Sequence, residues 1–136
     1  MSELIPIKFN KIMQSQSYTM FILGNEIKHF AIYTSPKIGQ NLQTTLSKQK
    51  KTRPYTLDLM NTIFLGLNVK LLQVVINDEK DSIYFTRLFI EQIRDEKRQI
   101  LEIDARPSDS LTLAFENDIG IFCKKDVFER IIPIEG

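Results

Sequence analysis

The feature that most constrains the fold lies around residue 105. From Gln99 to Asp104 polar and apolar residues alternate, with Ile100, Glu102 and Asp104 on one side and Leu101 and Ile103 on the other. That is the period of a strand. Further on, Leu111, Ala114 and Phe115 recur at i, i+3 and i+4, the period of a helix. Pro107 stands between. It cannot donate to a strand ladder, but it fits at the first helical turn, where its missing N–H costs nothing. The chain must therefore leave a sheet and enter a helix across Ala105 to Ser108. Ser108 is the expected N-cap and Asp109 a first-turn acid, where a negative charge is favoured. Free backbone N–H groups at such a helix start suit an anion.

The rest of the chain supplies a sheet for that corner. Ile5, Ile7, Phe9 and Met13 are expected on one face of a first strand, against Lys8, Asn10 and Ile12. Tyr18 to Leu23 and Ile27 to Tyr33 read as a hairpin, turned at Gly24-Asn25 by residues that tolerate positive φ. Ile38, Leu42 and Leu46 predict a helix from Pro36 to about Lys48, with Gly39 weakening it. Lys48 to Pro54 is a basic loop. Thr56 is the expected N-cap of a second helix, well buried, with Leu57, Met60, Phe64 and Leu67 as its stripe and Asn68 near its end. Strands follow at Val69 to Ile76, Ile83 to Ile90 and up to Asp104, with turns at 77–81 and 95–98. After the corner helix come a short strand, Ile121 to Cys123, and a last turn or helix from Asp126 to Ile131. The order βββ-αα-βββ-α-β-α implies one α+β domain over residues 1–136, its helices packed on a largely antiparallel sheet.

Net charge is +1 over 136 residues, which names no partner. Its distribution is uneven: residues 1–53 hold eight Lys/Arg against two Asp/Glu, and residues 54–136 hold ten against fifteen. Such a split could guide a polyanion or a second copy into a homo-oligomer, or be solvated surface alone. Cys123, the only cysteine, sits in an apolar run and reads as a buried, inert thiol in a cytoplasmic protein. The N-terminus alternates and does not read as a signal peptide, and no apolar run is long enough to span a membrane.

Gly-rich phosphate loops, zinc-type Cys/His spacings and serine nucleophile elbows are absent from the sequence. His29, the sole histidine, reads as a strand residue rather than a base. Carboxylates and guanidinium groups remain. Asp58, Asp104 and Asp109 each lie at a strand end or helix start, and if those helices begin on one side of the sheet the acids could converge on Mg²⁺ as catalytic groups. Arg53, Arg106 and Ser108 could hold phosphate, and Lys48, Lys50 and Lys51 could follow a nucleic-acid backbone. The plainer reading is that Arg106 pairs with a neighbouring Asp and locks the corner.

Three stretches carry a resemblance. Residues 103–114, IDARPSDSLTLA, are similar to the signature of the bifunctional nuclease family, found in bacteria and plants, with members assigned DNase and RNase activity. Arg53-Pro54-Tyr55-Thr56-Leu57-Asp58-Leu59 resembles a second family motif, with Leu57 where the family has His. Phe30 to Ile38 resembles a third, with Ser35 in place of Gly and Ile38 in place of Glu. The resemblance runs from the first strand to about residue 128. It implies a metal-dependent nuclease acting on DNA and RNA through Asp58, Asp104 and Asp109. The departures at Leu57 and Ile38 leave open a non-catalytic binding module of the same fold, whose Asp/Arg corners are structural.

Overall fold

A computed structural model describes residues 3–134. Its elements run β1 (Leu4–Gln14), β2 (Thr19–Gly24), β3 (His29–Thr34), α1 (Pro36–Leu46), α2 (Thr56–Gly66), β4 (Val69–Lys80), β5 (Ile83–Arg94), β6 (Lys97–Ala105), α3 (Pro107–Asn117), β7 (Gly120–Lys124) and α4 (Lys125–Arg130). The order is the one the sequence implies, and the class is α+β.

The seven strands form one sheet in the order β3-β2-β1-β7-β4-β5-β6. Every pairing is antiparallel except β4 with β7, which is parallel. The crossover through α3 makes that exception, since a parallel return needs a connection across the sheet face. The β4–β5 and β5–β6 hairpins close through two residues each, Asp81-Ser82 (φ 51° and 67°) and Asp95-Glu96 (φ 53° and 62°). Positive φ at both central residues marks the turn type whose twist matches the strands it joins.

The core joins both halves of the sheet to the helices. Phe21, Leu23, Phe30, Leu42, Val74, Ile76, Leu111, Leu113 and Val127 are among its buried residues. Phe9 of β1 packs on Phe115 of α3 with ring centroids 4.6 Å apart, and Phe30 of β3 stacks on Tyr84 of β5 at 5.7 Å. These two strands are far apart in the sheet order, so the second contact shows that the sheet coils until its ends approach.

Four expectations change. A bulge at Asn10 shifts β1's register between Phe9 and Lys11. One extra residue reverses the phase of everything after it. Ile12 consequently packs against the core and Met13 faces solvent. β4 runs on through a second bulge after Ile76 to Lys80, because Asp78 and Glu79 pair with Phe85 and Tyr84 instead of forming a loop. Gly24 has no positive φ; a Cβ there would lie 2.3 Å from the Lys28 carbonyl oxygen, so the hairpin needs its small size. The turn itself is held by Asn25 Oδ1, which accepts from the Ile27 and Lys28 amides. Finally, α2 is not deeply buried. Leu57, Met60 and Phe64 pack on the core, while Leu59, Ile63 and Leu67 are exposed.

Gly39 follows the same logic as Gly24. It is a poor helix former inside α1, but a Cβ there would lie 2.2 Å from Thr19 Oγ1 of β2. Gly39→Ala should therefore destabilise the protein, although helix propensity alone favours Ala by about 1 kcal/mol. Urea unfolding checks the sign, and Thr19→Ala added to Gly39→Ala should recover part of the loss.

Candidate functional site

Three helices start around one pocket. Ser35 caps α1 by accepting from the Ile38 amide, which makes Ile38 the third helical residue. Tyr55 precedes α2, and the Asp58 carboxylate reaches back to its amide at 2.7 Å. Thr56 is therefore the first residue of α2 and not its cap. Arg106 precedes α3 in an extended conformation, as Pro107 requires of its predecessor. Ser108, expected as the cap, is the second helical residue and is buried. Ile38, Leu57 and Asp109 all face a pocket of about 130 Å³, together with Tyr55, Thr112 and Glu116. The first turns of α1, α2 and α3 thus meet at one place.

Buried hydroxyls hold the corner that feeds α3. Thr86 of β5 donates to the Ala105 carbonyl at 2.6 Å and lies 2.8 Å from the Ser110 hydroxyl. Ser110 lies within hydrogen-bonding distance of the Arg106 and Pro107 carbonyls. Both side chains are fully buried. On the solvent side, Arg106 donates to both oxygens of Asp109, at 2.8 and 3.3 Å. The guanidinium stays largely exposed, so its orientation is set while its other N–H groups face outward.

Beside the pocket runs a polar seam. Lys51 grips both oxygens of Asp58, at 2.9 and 2.8 Å, and lies over the Tyr55 ring. Asn61 donates to Glu116 at 2.5 Å and accepts from Asn117 at 2.9 Å. Burial pushes the Asp58 carboxyl up, but Lys51 and the Tyr55 amide outweigh it and hold the group below the usual carboxylate range. For Glu116, burial and then the Asp58 charge raise the carboxyl above its ordinary value.

The residues expected from sequence are divided among these features. Asp58 and Lys51 bind each other, while Lys48, Lys50 and Arg53 are exposed. The corner at Arg53 does not repeat the one at Arg106, because Lys51 takes the acid. Asp104 of β6 pairs with Arg87 of β5 and, with Arg106 and Ser108, borders a separate cleft of about 530 Å³ against Tyr33 and Phe85. Among the described residues, no three His, Cys, Asp or Glu side chains gather as a metal ion would require. Cys123 is fully buried, and burial pushes its thiol up to about 12. His29 is exposed on β3, near the Asn10 amide. Glu116, Asn61 and Ser110 carry no sequence signal of their own, since a lone acid or amide on a helix reads as surface.

A family model described as the bifunctional nuclease domain matches residues 22–133 of the 136. The chain belongs to this family. The match opens inside β2, so β1, where the resemblance was expected to begin, lies outside it. No curated protein matches the chain. No helix among the described residues is long and apolar enough to cross a membrane.

Membership in the bifunctional nuclease family gives the pocket its meaning. The three stretches that resemble family motifs supply the three helix starts. Ile38 and Leu57, at the motif positions of Glu and His, face the pocket beside Asp109. Both side chains make that part of the pocket apolar.

Glu116 offers a direct test of the seam's electrostatics. Its folded pKa is raised, so the ionised form costs stability, and that cost disappears as pH falls through the folded value. Glu116→Gln keeps the Asn61 acceptor without the charge. It should be more stable than the wild type at pH 7, with the difference shrinking on acidification past the usual glutamate range. Denaturant melts at pH 7 and at lower pH measure this.

Proposed function

We propose that this bifunctional nuclease domain acts on the phosphodiester backbone of DNA or RNA at the pocket where the three helices start. The observation that carries the reading is the convergence of all three motif stretches on one cavity that keeps Asp109. Arg106, held by Asp109 and open to solvent, is the group suited to a phosphate. Its planar fork matches phosphate oxygens on the side that Asp109 leaves free. Arg53, Lys48 and Lys50 lie exposed on the basic N-terminal half and would extend the contact along the backbone. Asp109 is the carboxylate nearest the bound phosphate in this reading and would orient or deprotonate the attacking water. Glu116 would carry a proton, because burial favours its neutral form.

Mg²⁺ is the ion such hydrolysis would use, with Asp104 and Asp109 as its expected ligands. These two acids border different cavities, and among the described residues no three His, Cys, Asp or Glu side chains gather around one ion, so they do not fit a shared Mg²⁺. A second reading has its own support. With Ile38 and Leu57 in the pocket, the chain could bind nucleic acid without cleaving it.

The assay is incubation of purified protein with single- and double-stranded DNA and RNA, with Mg²⁺ or with chelator. Cleavage by the wild type should fall by at least about 100-fold in Asp109→Asn, the range expected for loss of an acid–base group. Arg106→Ala should weaken binding to all sequences alike and reduce its salt dependence. Binding without turnover, with cleavage gained in Ile38→Glu/Leu57→His, would establish the second reading. If neither binding nor cleavage occurs, both fail.

A further inference from the structure

β6 closes one end of the sheet and nothing pairs with its outer edge among the described residues. Eight of its nine residues are exposed, including Ile100, Leu101 and Ile103. A long edge with apolar side chains on both faces is a template for another strand. Natural edges are usually blunted by inward charges, bulges or proline. β6 has no register shift against β5, and its charges are arranged differently.

The charges have an order. Lys97 and Arg98 open the strand, and Glu102 and Asp104 close it. Turned through a two-fold axis at Leu101, the strand meets itself in full antiparallel register. Lys97 then faces Ala105, Arg98 faces Asp104 and Leu101 faces Leu101. The axis stands normal to the sheet, so paired residues keep the same face. Arg98 and Asp104 lie on the face away from the helices and Leu101 on the helix face, as their partners on β5 dictate. Arg98 already holds Glu91 through Nε, leaving its other N–H groups free to turn outward. Asp104 forms no salt bridge among the described residues.

The exposed stripe of α2 extends this surface. Asn61 turns towards α3, so Leu59 and Ile63, each two positions away and nearly opposite on the helix, turn from it. The Leu67 carbonyl accepts from Gln92 of β5, which places the end of α2 one strand from β6. The stripe therefore borders the face on which Leu101 and Ile103 are exposed.

We propose that β6 pairs with β6 of a second copy about a two-fold axis through Leu101, joining two sheets into one. The α2 stripes of both copies flank the new strand pair and enlarge the contact towards the roughly 1,200 Å² typical of a stable interface. The occupant is a second copy because Arg98 and Asp104 of one strand meet Asp104 and Arg98 of the other on the same face. An unrelated strand would have to match that arrangement by chance.

Two measurements test the pairing. Sedimentation of the full chain at roughly 100 µM, where micromolar self-association is nearly complete, should give a dimer that loosens with salt. Leu101→Lys places two charges at the axis and should give a folded monomer, with folding verified by circular dichroism. Leu101→Cys should form a disulfide-linked dimer under mild oxidation, since the native Cys123 is buried and the two new thiols face each other. Ile83→Cys, exposed at the far hairpin, should not. A wild-type monomer at this concentration would overturn the proposal. So would a dimer that persists in Leu101→Lys, or one in which position 101 fails to cross-link.

Discussion

The pair of buried hydroxyls on Thr86 and Ser110 is what the rest of the site depends on. At the end of β6 the chain gives up its ladder, and the Ala105 carbonyl takes a new partner close to the core. Thr86 donates to it from the neighbouring strand, and Ser110 in α3 ties Thr86 to the turn at Arg106 and Pro107. With those bonds in place α3 starts at a fixed point over β5, and Arg106 and Asp109 are directed outward. Losing the Thr86 hydroxyl would leave the Ala105 carbonyl short of a partner, at a cost of about 1–3 kcal/mol. The exposed Arg106–Asp109 pair rests on this hidden one, and by itself an exposed pair contributes little to stability.

Much of this was legible because local period and turn chemistry agree along the chain. The strand–Pro–helix passage at residues 99–115 and the alternating runs on either side determine the element order without any tertiary information. Helix ends were legible in part. Asn68 and Asp118 take left-handed backbone where α2 and α3 stop. Starts were harder, because Pro107 and Thr56 each displaced the cap by one or two positions. The bulge at Asn10 was invisible: its polar side chain fits the alternation on paper, yet it removes Met13 from the core. The burial of α2 was overestimated because its apolar residues cover more of the helix than the sheet can accept.

The site was legible only as three separate stretches. Each could be seen as a helix start bearing polar groups. Their meeting depends on the coil of the sheet and on α2 and α3 running side by side, which no local pattern records. The same limit hid the seam. Lys51 seemed one lysine of a basic loop, but Tyr55 and Asp58 draw it away from solvent. Glu116 seemed a surface acid at a helix end until Asn61 and Asp58 appeared beside it. Family membership explains why these stretches occur together. Ile38 and Leu57 put two apolar side chains into the pocket where these stretches meet.

β7 is only five residues long, yet it sits between β1 and β4 and carries the strand pairing from one half of the sheet to the other. Leu4 pairs with Lys124, so β1 takes a partner that lies far along the chain from it. During synthesis, β1–β3 and β4–β6 can each zip locally, but two inner edges stay open until β7 emerges from the ribosome. The chain is then at its most vulnerable to joining the wrong partner. One short strand covers both edges, and α4 follows it directly in the chain.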